Sequence, residues 1–209
     1  PQVGTYTPHS DISFEEKFSA TYHKPSYGFD CGIDSFPSKN QYFTFVSQCI
    51  GTDKFLYDKD TSSQNISSFT QQVNKLGLQN QKIFIKMDIE GAEYEAFDDI
   101  LMASSDVTGI VIEIHFIREG EILKAIKLLS ALNKDFLLLH AHGNNYEMYR
   151  SFSAGNVKGL VPKVLELTYI NKALVTSFKI SNNQSHPVPL LDMPNNRFRE
   201  DCSFELQLK

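Results

Sequence analysis

The chain has 209 residues, of which 41% are hydrophobic and 22% are charged, and its formal net charge at pH 7 is −5. This composition is that of a globular protein with a full-sized core, so we expect a single domain over residues 1–209. The acidic balance argues against a nucleic-acid surface, and no apolar run approaches the roughly 20 residues that span a bilayer. Because the first residue is Pro rather than Met, we expect that this domain lacks an N-terminal element.

The cysteines carry information about the compartment. Cys31, Cys49 and Cys202 are odd in number, lie far apart and match no zinc-ligand spacing. We interpret them as free, small core residues, which suits a reducing compartment. No signal peptide is visible, so we expect a cytoplasmic protein.

Three strands and two helices are predicted in the first part of the chain. The strands cover residues 3–6, 27–30 and 42–50, the last one rich in aromatic and β-branched residues. A helix begins near Ser13, which has capping-box spacing to Glu16. A second helix is indicated by helical spacing of apolar residues before the glycine stop at Gly77, namely Ile66, Phe69, Val73 and Leu76.

The stretch at residues 82–97, KIFIKMDIEGAEYEAF, changes from a buried strand to a helix through acids and a glycine. Open parallel sheets bind ligands beyond the carboxyl ends of their strands, so we interpret this turn as one wall of an active site. Asp88 directly follows an apolar strand, where an acid is costly unless it is paired or bound. Gly91 permits the strand to break, and Glu93 lies in the first helical turn, where it supports the turn.

The second part of the chain continues the alternation of strand and helix. Strands are predicted at residues 108–116, 136–140 and 164–170, with a loop at 141–145 and an irregular tail after residue 182. A helix over residues 121–132 has a predicted inward face of Ile122, Ala125, Ile126, Leu129 and Leu132. This order predicts an α/β fold with a largely parallel sheet.

Ionisable residues follow several of these strands. Glu113 and His115 alternate with isoleucines and therefore share one face of a strand. Such a pair suits a general base with its orienting partner, or a metal pair; a satisfied buried pair is the structural alternative. His140 and His142 have the His-x-His spacing, but no third ligand is evident, so no metal site is assigned. The other histidines, His9, His23 and His186, are expected at the surface.

The absence of phosphate-binding motifs narrows the cofactor. The chain has no Gly-x-x-x-x-Gly-Lys loop, no Gly-x-Ser-x-Gly elbow and no clear Gly-x-Gly-x-x-Gly turn. A cofactor with a ribose and no phosphate fits better, and S-adenosylmethionine is such a molecule. Asp30, at the end of the second strand, can accept hydrogen bonds from both ribose hydroxyls, although an ordinary turn aspartate explains it equally well.

Lys86-Met87-Asp88-Ile89-Glu90-Gly91-Ala92-Glu93 resembles the K-x-D-x-E-G-x-E motif of FkbM-type S-adenosylmethionine-dependent methyltransferases. The segments 10–15 (SDISFE), 27–30 (YGFD) and 112–115 (IEIH), with the later His140 and Asn144-Asn145, are similar to a branch of the same family. The resemblance covers roughly residues 3–175.

The resemblance implies a Rossmann-like class I methyltransferase fold, with a seven-stranded, mostly parallel sheet, an antiparallel last strand and helices on both faces. It implies O-methylation of a sugar, polysaccharide or natural-product hydroxyl, as in polysaccharide biosynthesis, and leaves a homodimer open. Cofactor-binding residues are expected at Gly4, Ser10, Asp11, Asp30, Cys31, Gly51 and Asp88. Among the expected catalytic residues, His115 is the base, Glu113 orients it, Asp88 approaches the methyl-transfer centre and His140 is the second choice of base.

One departure leaves alternatives open. The first turn, Gly4-Thr5-Tyr6-Thr7-Pro8-His9, has less glycine than the family pattern. A non-catalytic binding module on this fold is one alternative. A metal-dependent hydrolase using the acids and histidines is another, and a methyltransferase with a divalent ion at Asp88, Glu113 and a histidine is a variant of the first prediction.

Overall fold

A computed structural model of the protein describes residues 2–5, 12–36, 38–51, 66–116, 121–147, 149–154, 157–181 and 184–206. The chain divides into two compact units, Pro1–Ile110 and Val111–Lys209. Helices and strands occur in both units, which confirms the predicted α/β class. Within the described residues, no helix combines the length and apolarity that a membrane crossing requires.

The first unit is built on a parallel sheet with strand order β3-β2-β1-β6. Because its strands run in the same direction, their carboxyl ends lie along one edge. The elements are β1 (Gln2–Thr5), α1 (Ser13–Tyr22), β2 (Ser26–Phe29), β3 (Phe43–Val46), β4 (Cys49–Ile50), β5 (Ile66–Ser67), α2 (Phe69–Lys75), β6 (Ile83–Met87), α3 (Glu93–Met102) and β7 (Val107–His115), which continues into the second unit.

Helix α1 packs on strand β6 through aromatic rings. The rings of Phe14 and Phe18 lie 6.4 and 6.1 Å from that of Phe84. Ile83 and Ile85 point to the other face of the strand and are fully buried. The apolar run is therefore a strand covered on both faces, as its lack of polar alternation predicts.

The predicted third strand is wrong in its continuity. Residues 42–50 break after Val46, and the short β4 pairs in parallel with β5 instead of extending β3. Ile66 belongs to β5 rather than to the predicted helix, which begins only at Phe69. Gly77 has φ +66°, a left-handed conformation that glycine adopts at helix ends, so the predicted stop is confirmed.

The capping box predicted at the start of α1 does not form, and α2 has a capping box instead. Ser13 is the first residue of α1, and no side chain caps this helix. Ser68 and Gln71 form a reciprocal capping box on α2 instead. The spacing of a serine and an acid or amide is therefore insufficient, because the backbone must also be extended at the capping serine.

Asp99 of α3 holds the first turn of α2. Its carboxylate accepts hydrogen bonds from the Thr70 N–H at 2.7 Å and from the Thr70 hydroxyl at 2.6 Å. We expect Asp99→Ala to lower the free energy of unfolding by about 1 kcal/mol, as for a lost helix cap. Urea unfolding measures this loss, and the adjacent exposed Asp98→Ala is the control. Equal losses in the two variants would show that the contact contributes nothing specific.

The second unit consists of antiparallel strand pairs and one long helix. β8 pairs with β11, β9 with β10, and β12 with β13. The elements are α4 (Glu121–Asp135), β8 (Phe136–Gly143), β9 (Tyr149–Ala154), β10 (Val157–Pro162), β11 (Val164–Asn171), β12 (Gln184–His186) and β13 (Phe204–Leu206), with a 3-10 turn at Lys172–Leu174.

Three predictions for this unit are corrected. The sixth strand continues to Gly143, so His142 lies on this strand and not in the predicted loop. The tail after residue 182 is not irregular throughout, because it forms β12 and β13. Ile126 is 45% exposed rather than inward, and the buried face of α4 includes Leu128 instead. Helical spacing alone allowed both faces, and packing selected one.

The prediction of three free cysteines is wrong. Cys31, just after β2, and Cys49, at the start of β4, form a disulfide with their Cα atoms 4.7 Å apart. Cys202 is free and buried. The 18-residue separation carries no signal of pairing, because the neighbouring strands β2 and β3 bring the two positions together only in the fold.

Candidate functional site

The carboxyl edge of the parallel sheet carries the predicted ligand-binding residues of the first unit. β1 lies between β2 and β6, and Gly4 of β1 is paired with Gly28 of β2. These two paired glycines carry no side chains, and they lie one residue before Thr5 and Phe29, the last residues of the two strands. Asp30 follows β2, and Asp88 follows β6.

Asp30 is a buried carboxylate with one oxygen ready for a ligand. Its side-chain Oδ1 accepts a hydrogen bond from the Gly32 N–H at 2.6 Å. Its Oδ2 is buried, and no described residue donates a hydrogen bond to it. Burial raises the pKa of Asp30, although the Gly32 hydrogen bond partly opposes this rise. A buried carboxylate oxygen without a donor is costly, and a ligand hydroxyl would remove that cost.

The strand breaks at Asp88, as the prediction from Gly91 requires, and the backbone of this turn is strained. Glu90 has φ +53° and Gly91 has φ +99°, so the chain leaves the strand abruptly. The fully buried Glu93 accepts hydrogen bonds from the N–H groups of Gly91 at 3.1 Å and Ile89 at 3.4 Å. Glu93 therefore supports the turn, as predicted, and the turn sets the position of Asp88.

Lys86 and Glu15 connect two sequence segments that had no predicted contact. The Lys86 Nζ lies 3.7 Å from the Glu15 carboxylate, which is fully buried, and 5.8 Å from the ring centroid of Phe14. A buried carboxylate next to an ammonium is held in place, since separating the two would leave a charge uncompensated. This pair ties α1 to β6 beside the acidic turn.

The remaining residues that were predicted to bind the cofactor are Gly51, Cys31, Ser10 and Asp11. The Gly51 N–H donates to the Ser67 carbonyl at 3.0 Å in the β4–β5 pair. Cys31 is bonded to another cysteine, so its sulfur is not a free thiol. Ser10 and Asp11 lie outside the described residues.

In the second unit, Glu113 and His115 form the predicted pair near the end of β7. The Nε2 atom of His115 lies 3.7 Å from the Glu113 carboxylate. His115 is 5% exposed, whereas the Glu113 side chain is 23% exposed. The arrangement suits an imidazole that is oriented by a carboxylate and removed from bulk water.

The sequence interpretation missed a carboxylate that contacts a second histidine of this unit. Glu166 of β11 accepts a hydrogen bond from Asn195 at 2.6 Å and lies 3.0 Å from the Nδ1 atom of His142. The other ring nitrogen of His142 lies 3.1 Å from both carboxylate oxygens of Asp201. Burial alone would raise the pKa of Glu166, but the hydrogen bonds outweigh burial and lower it.

His142 is an imidazolium at neutral pH. Its hydrogen bond to Glu166, aided by Asp201, raises its pKa to about 9 against the opposing effect of burial. A protonated, doubly hydrogen-bonded ring cannot accept a proton from a substrate. His142 therefore stabilises this unit. Its partner Glu166 could have been recognised in the sequence, because it is an acid inside the apolar strand VLELTYI.

This raised pKa predicts the pH dependence of stability. The ionic contact of His142 is complete below pH 6.5 and is lost as pH rises towards about 9, because the unfolded chain releases that proton first. The free energy of unfolding should fall across this window by on the order of 3 kcal/mol. Chemical denaturation in chelator-containing buffer measures it. The slope should shrink in Glu166→Gln and vanish in His142→Asn; an unchanged slope in His142→Asn contradicts the assignment.

A cavity of about 700 Å³ lies in the second unit between β7, α4 and the β9–β10 hairpin. Its lining includes Phe116, which follows His115, together with Arg150, Phe152 and Lys158. The Arg150 guanidinium donates to the Phe116 carbonyl and thereby connects the hairpin to the end of β7. A ring, two cations and serine hydroxyls give this cavity the means to bind a polar ligand.

His140, the second choice of base, has different neighbours. Its Nε2 hydrogen-bonds Asp192 at 2.6 Å, and its ring lies 5.8 Å from the His186 ring. His186 is only 4% exposed, so the prediction that it is a surface residue is wrong. Both partners of His140, Asp192 and His186, come from the C-terminal segment (residues 184–206). No local sequence pattern around His140 therefore indicates them.

A family model described as the methyltransferase FkbM domain matches residues 5–148, well over half of the chain. The matched range contains Asp30, Asp88, Glu113 and His115. No curated protein and no solved structure matches the chain.

Proposed function

Because the chain belongs to the FkbM methyltransferase family, we propose that it transfers a methyl group from S-adenosylmethionine to a hydroxyl of a small molecule or carbohydrate. The observation that carries this proposal is the buried Asp30 Oδ2, which no described residue hydrogen-bonds. Ribose hydroxyls supply the donors that this oxygen lacks. When bound, the cofactor supplies a methyl group on a positively charged sulfur.

The proposed fold is the seven-stranded sheet of class I methyltransferases, formed as a single domain. The parallel pairing of β3, β2, β1 and β6 and the antiparallel pairing of β11 with β8 agree with an otherwise parallel sheet that ends in an antiparallel strand.

In the proposed reaction, the residues expected from the sequence have the following roles. Asp30 binds the ribose, and the Gly4–Gly28 edge accommodates the adjoining part of the cofactor. Asp88, fixed by its strained turn, is assigned to the methyl-transfer centre. His115 accepts the proton of the acceptor hydroxyl, and Glu113 orients the ring and stabilises the imidazolium that forms. Alignment of the acceptor oxygen with the methyl group supplies most of the rate enhancement.

The cavity beside Phe116 is the proposed acceptor site. Its lining includes Phe116, the residue that follows His115, together with Lys158 and the ring of Phe152, which can contact a polar acceptor. These groups suit a sugar or another hydroxyl-rich molecule, because hydroxyls hydrogen-bond cations and sugar faces pack on aromatic rings. Such an acceptor supports the proposal of O-methylation in polysaccharide or natural-product synthesis.

The cytoplasmic location of the protein stays a prediction from the sequence. The Cys31–Cys49 disulfide is typical of oxidising compartments and weighs against the cytoplasm.

Thermal unfolding with S-adenosylhomocysteine tests the proposed cofactor. A ligand present at 100 times its dissociation constant should stabilise the protein by about 2.7 kcal/mol. NAD⁺ is the matched control, because the chain has no loop for its pyrophosphate. Stabilisation by neither ligand would favour a non-catalytic module, and metal-dependent hydrolytic activity without a response to S-adenosylhomocysteine would favour a hydrolase. Methyl transfer to a panel of hydroxylated acceptors then tests the reaction.

A further inference from the structure

His140, His186 and Asp192 form a compact group of potential metal ligands where the C-terminal segment meets β8. One ligand atom from each residue lies within 4.8 Å of the others. Two imidazoles and one carboxylate are the donor types that Zn²⁺ binds in proteins. The group lies within the second unit, and two of its members are beyond the range that the family model matches.

The histidine from β12 lacks the partners that a buried imidazole normally has. Both ring nitrogens of His186 are buried, and neither makes a well-formed hydrogen bond to a described residue, although the backbone of Ala141 lies close enough to interact with the ring. The ring stacks on Phe204, with the centroids 4.7 Å apart, so packing fixes its plane. An unpartnered buried imidazole costs free energy, whereas coordination of a cation would satisfy one nitrogen.

The carboxylate is already oriented for coordination. Its Oδ2 accepts a hydrogen bond from the Val188 N–H at 2.6 Å, which leaves Oδ1 directed at His140. Hydrogen bonds of this kind hold metal ligands in position. The Asp192 side chain is 4% exposed and that of His140 is 21% exposed, so an ion can enter from the side of His140.

We propose that His140, His186 and Asp192 bind one Zn²⁺ ion, with water completing a four-coordinate site. Binding replaces the hydrogen bond between His140 and Asp192 by one bond from each residue to the metal, and the proton of that hydrogen bond leaves the Nε2 atom of His140. Because His186 and Asp192 belong to the C-terminal segment and His140 to β8, the ion fastens this segment to the sheet. The C-terminal segment already packs closely on β8 nearby, because a Cβ atom built on Gly143 would lie 2.6 Å from the Cβ atom of Cys202.

The experiment is titration of the chelator-treated full chain with Zn²⁺, followed by calorimetry and thermal unfolding. We expect one ion per chain and a higher melting temperature. Co²⁺ should give the visible absorption of a four-coordinate complex with nitrogen and oxygen ligands. Asp192→Asn and His186→Phe should each lose binding at least about tenfold, as losing one ligand removes much of the site's affinity. Phenylalanine keeps the contact with Phe204.

Asp201→Asn is the matched control, because Asp201 is also an aspartate that contacts a histidine but is not in the group. It should bind Zn²⁺ as the unmodified protein does. Absence of Zn²⁺ binding in the unmodified chain would overturn the proposal, and so would equal losses in Asp201→Asn and Asp192→Asn. Circular dichroism of each variant identifies a folding defect, and Asp192→Asn, which conserves size, remains the deciding variant if His186→Phe is unfolded. The S-adenosylhomocysteine response is a separate readout, so the two proposals can fail independently.

Discussion

Asp30→Asn should lose about 10²- to 10⁴-fold in affinity for S-adenosylhomocysteine while remaining at least as stable as the unmodified protein. The affinity falls because each ribose hydrogen bond to a carboxylate contributes about 1.5–3 kcal/mol, and the amide offers no charge. Asparagine has the same size and keeps an oxygen for the Gly32 N–H, so the local structure should persist.

The stability half of this prediction follows from the raised pKa of Asp30. A carboxyl group whose pKa is higher in the folded state binds its proton more strongly there, so ionisation costs stability as pH rises above the unfolded pKa. The neutral asparagine avoids that cost at neutral pH. Lost ligand affinity without lost stability is the signature of a binding residue, whereas a turn aspartate would show the reverse.

Isothermal titration calorimetry and thermal unfolding without ligand measure the two halves separately. Asp34→Asn, an exposed aspartate of the same loop region, is the control and should leave both unchanged. Unchanged affinity in Asp30→Asn would remove Asp30 from the cofactor site and with it the main support for the proposed cofactor.

His115→Gln should lower the turnover number by about 10²- to 10⁴-fold, the usual contribution of a positioned general base. Affinity for S-adenosylhomocysteine should change little, because the proposed role of His115 concerns the acceptor proton. Glu113→Gln should give a smaller loss, since it leaves the base in place and removes only its orienting charge.

Transfer of labelled methyl groups to the acceptor found in the panel measures turnover across pH. The acid limb of the pH profile should disappear in His115→Gln, which a merely structural role would not cause. His23→Gln, at an exposed histidine of the first unit, is the control. Full turnover in His115→Gln at saturating substrates would show that another group takes the proton.

The sequence by itself determined much of the first unit and of the carboxyl edge of its parallel sheet. Apolar runs bounded by acids and glycine identified β2 and β6 and placed Asp30 and Asp88 after them, because strand periodicity and turn chemistry are local properties. The role of Glu93 was also evident, since it depends on residues within four positions. The family motif added the reaction to this local information.

Only the tertiary structure decided which ionisable groups of the second unit meet. His140 and His142 lie two residues apart on the same strand, yet they have different partners. His140 contacts Asp192, whereas His142 contacts Glu166 and Asp201. These partners are 24 to 59 residues away in the chain. Contacts over such separations depend on how β11 and the C-terminal segment pack against β8, and no local periodicity encodes that packing. The same reason explains the disulfide, the buried His186 and the potential metal ligands.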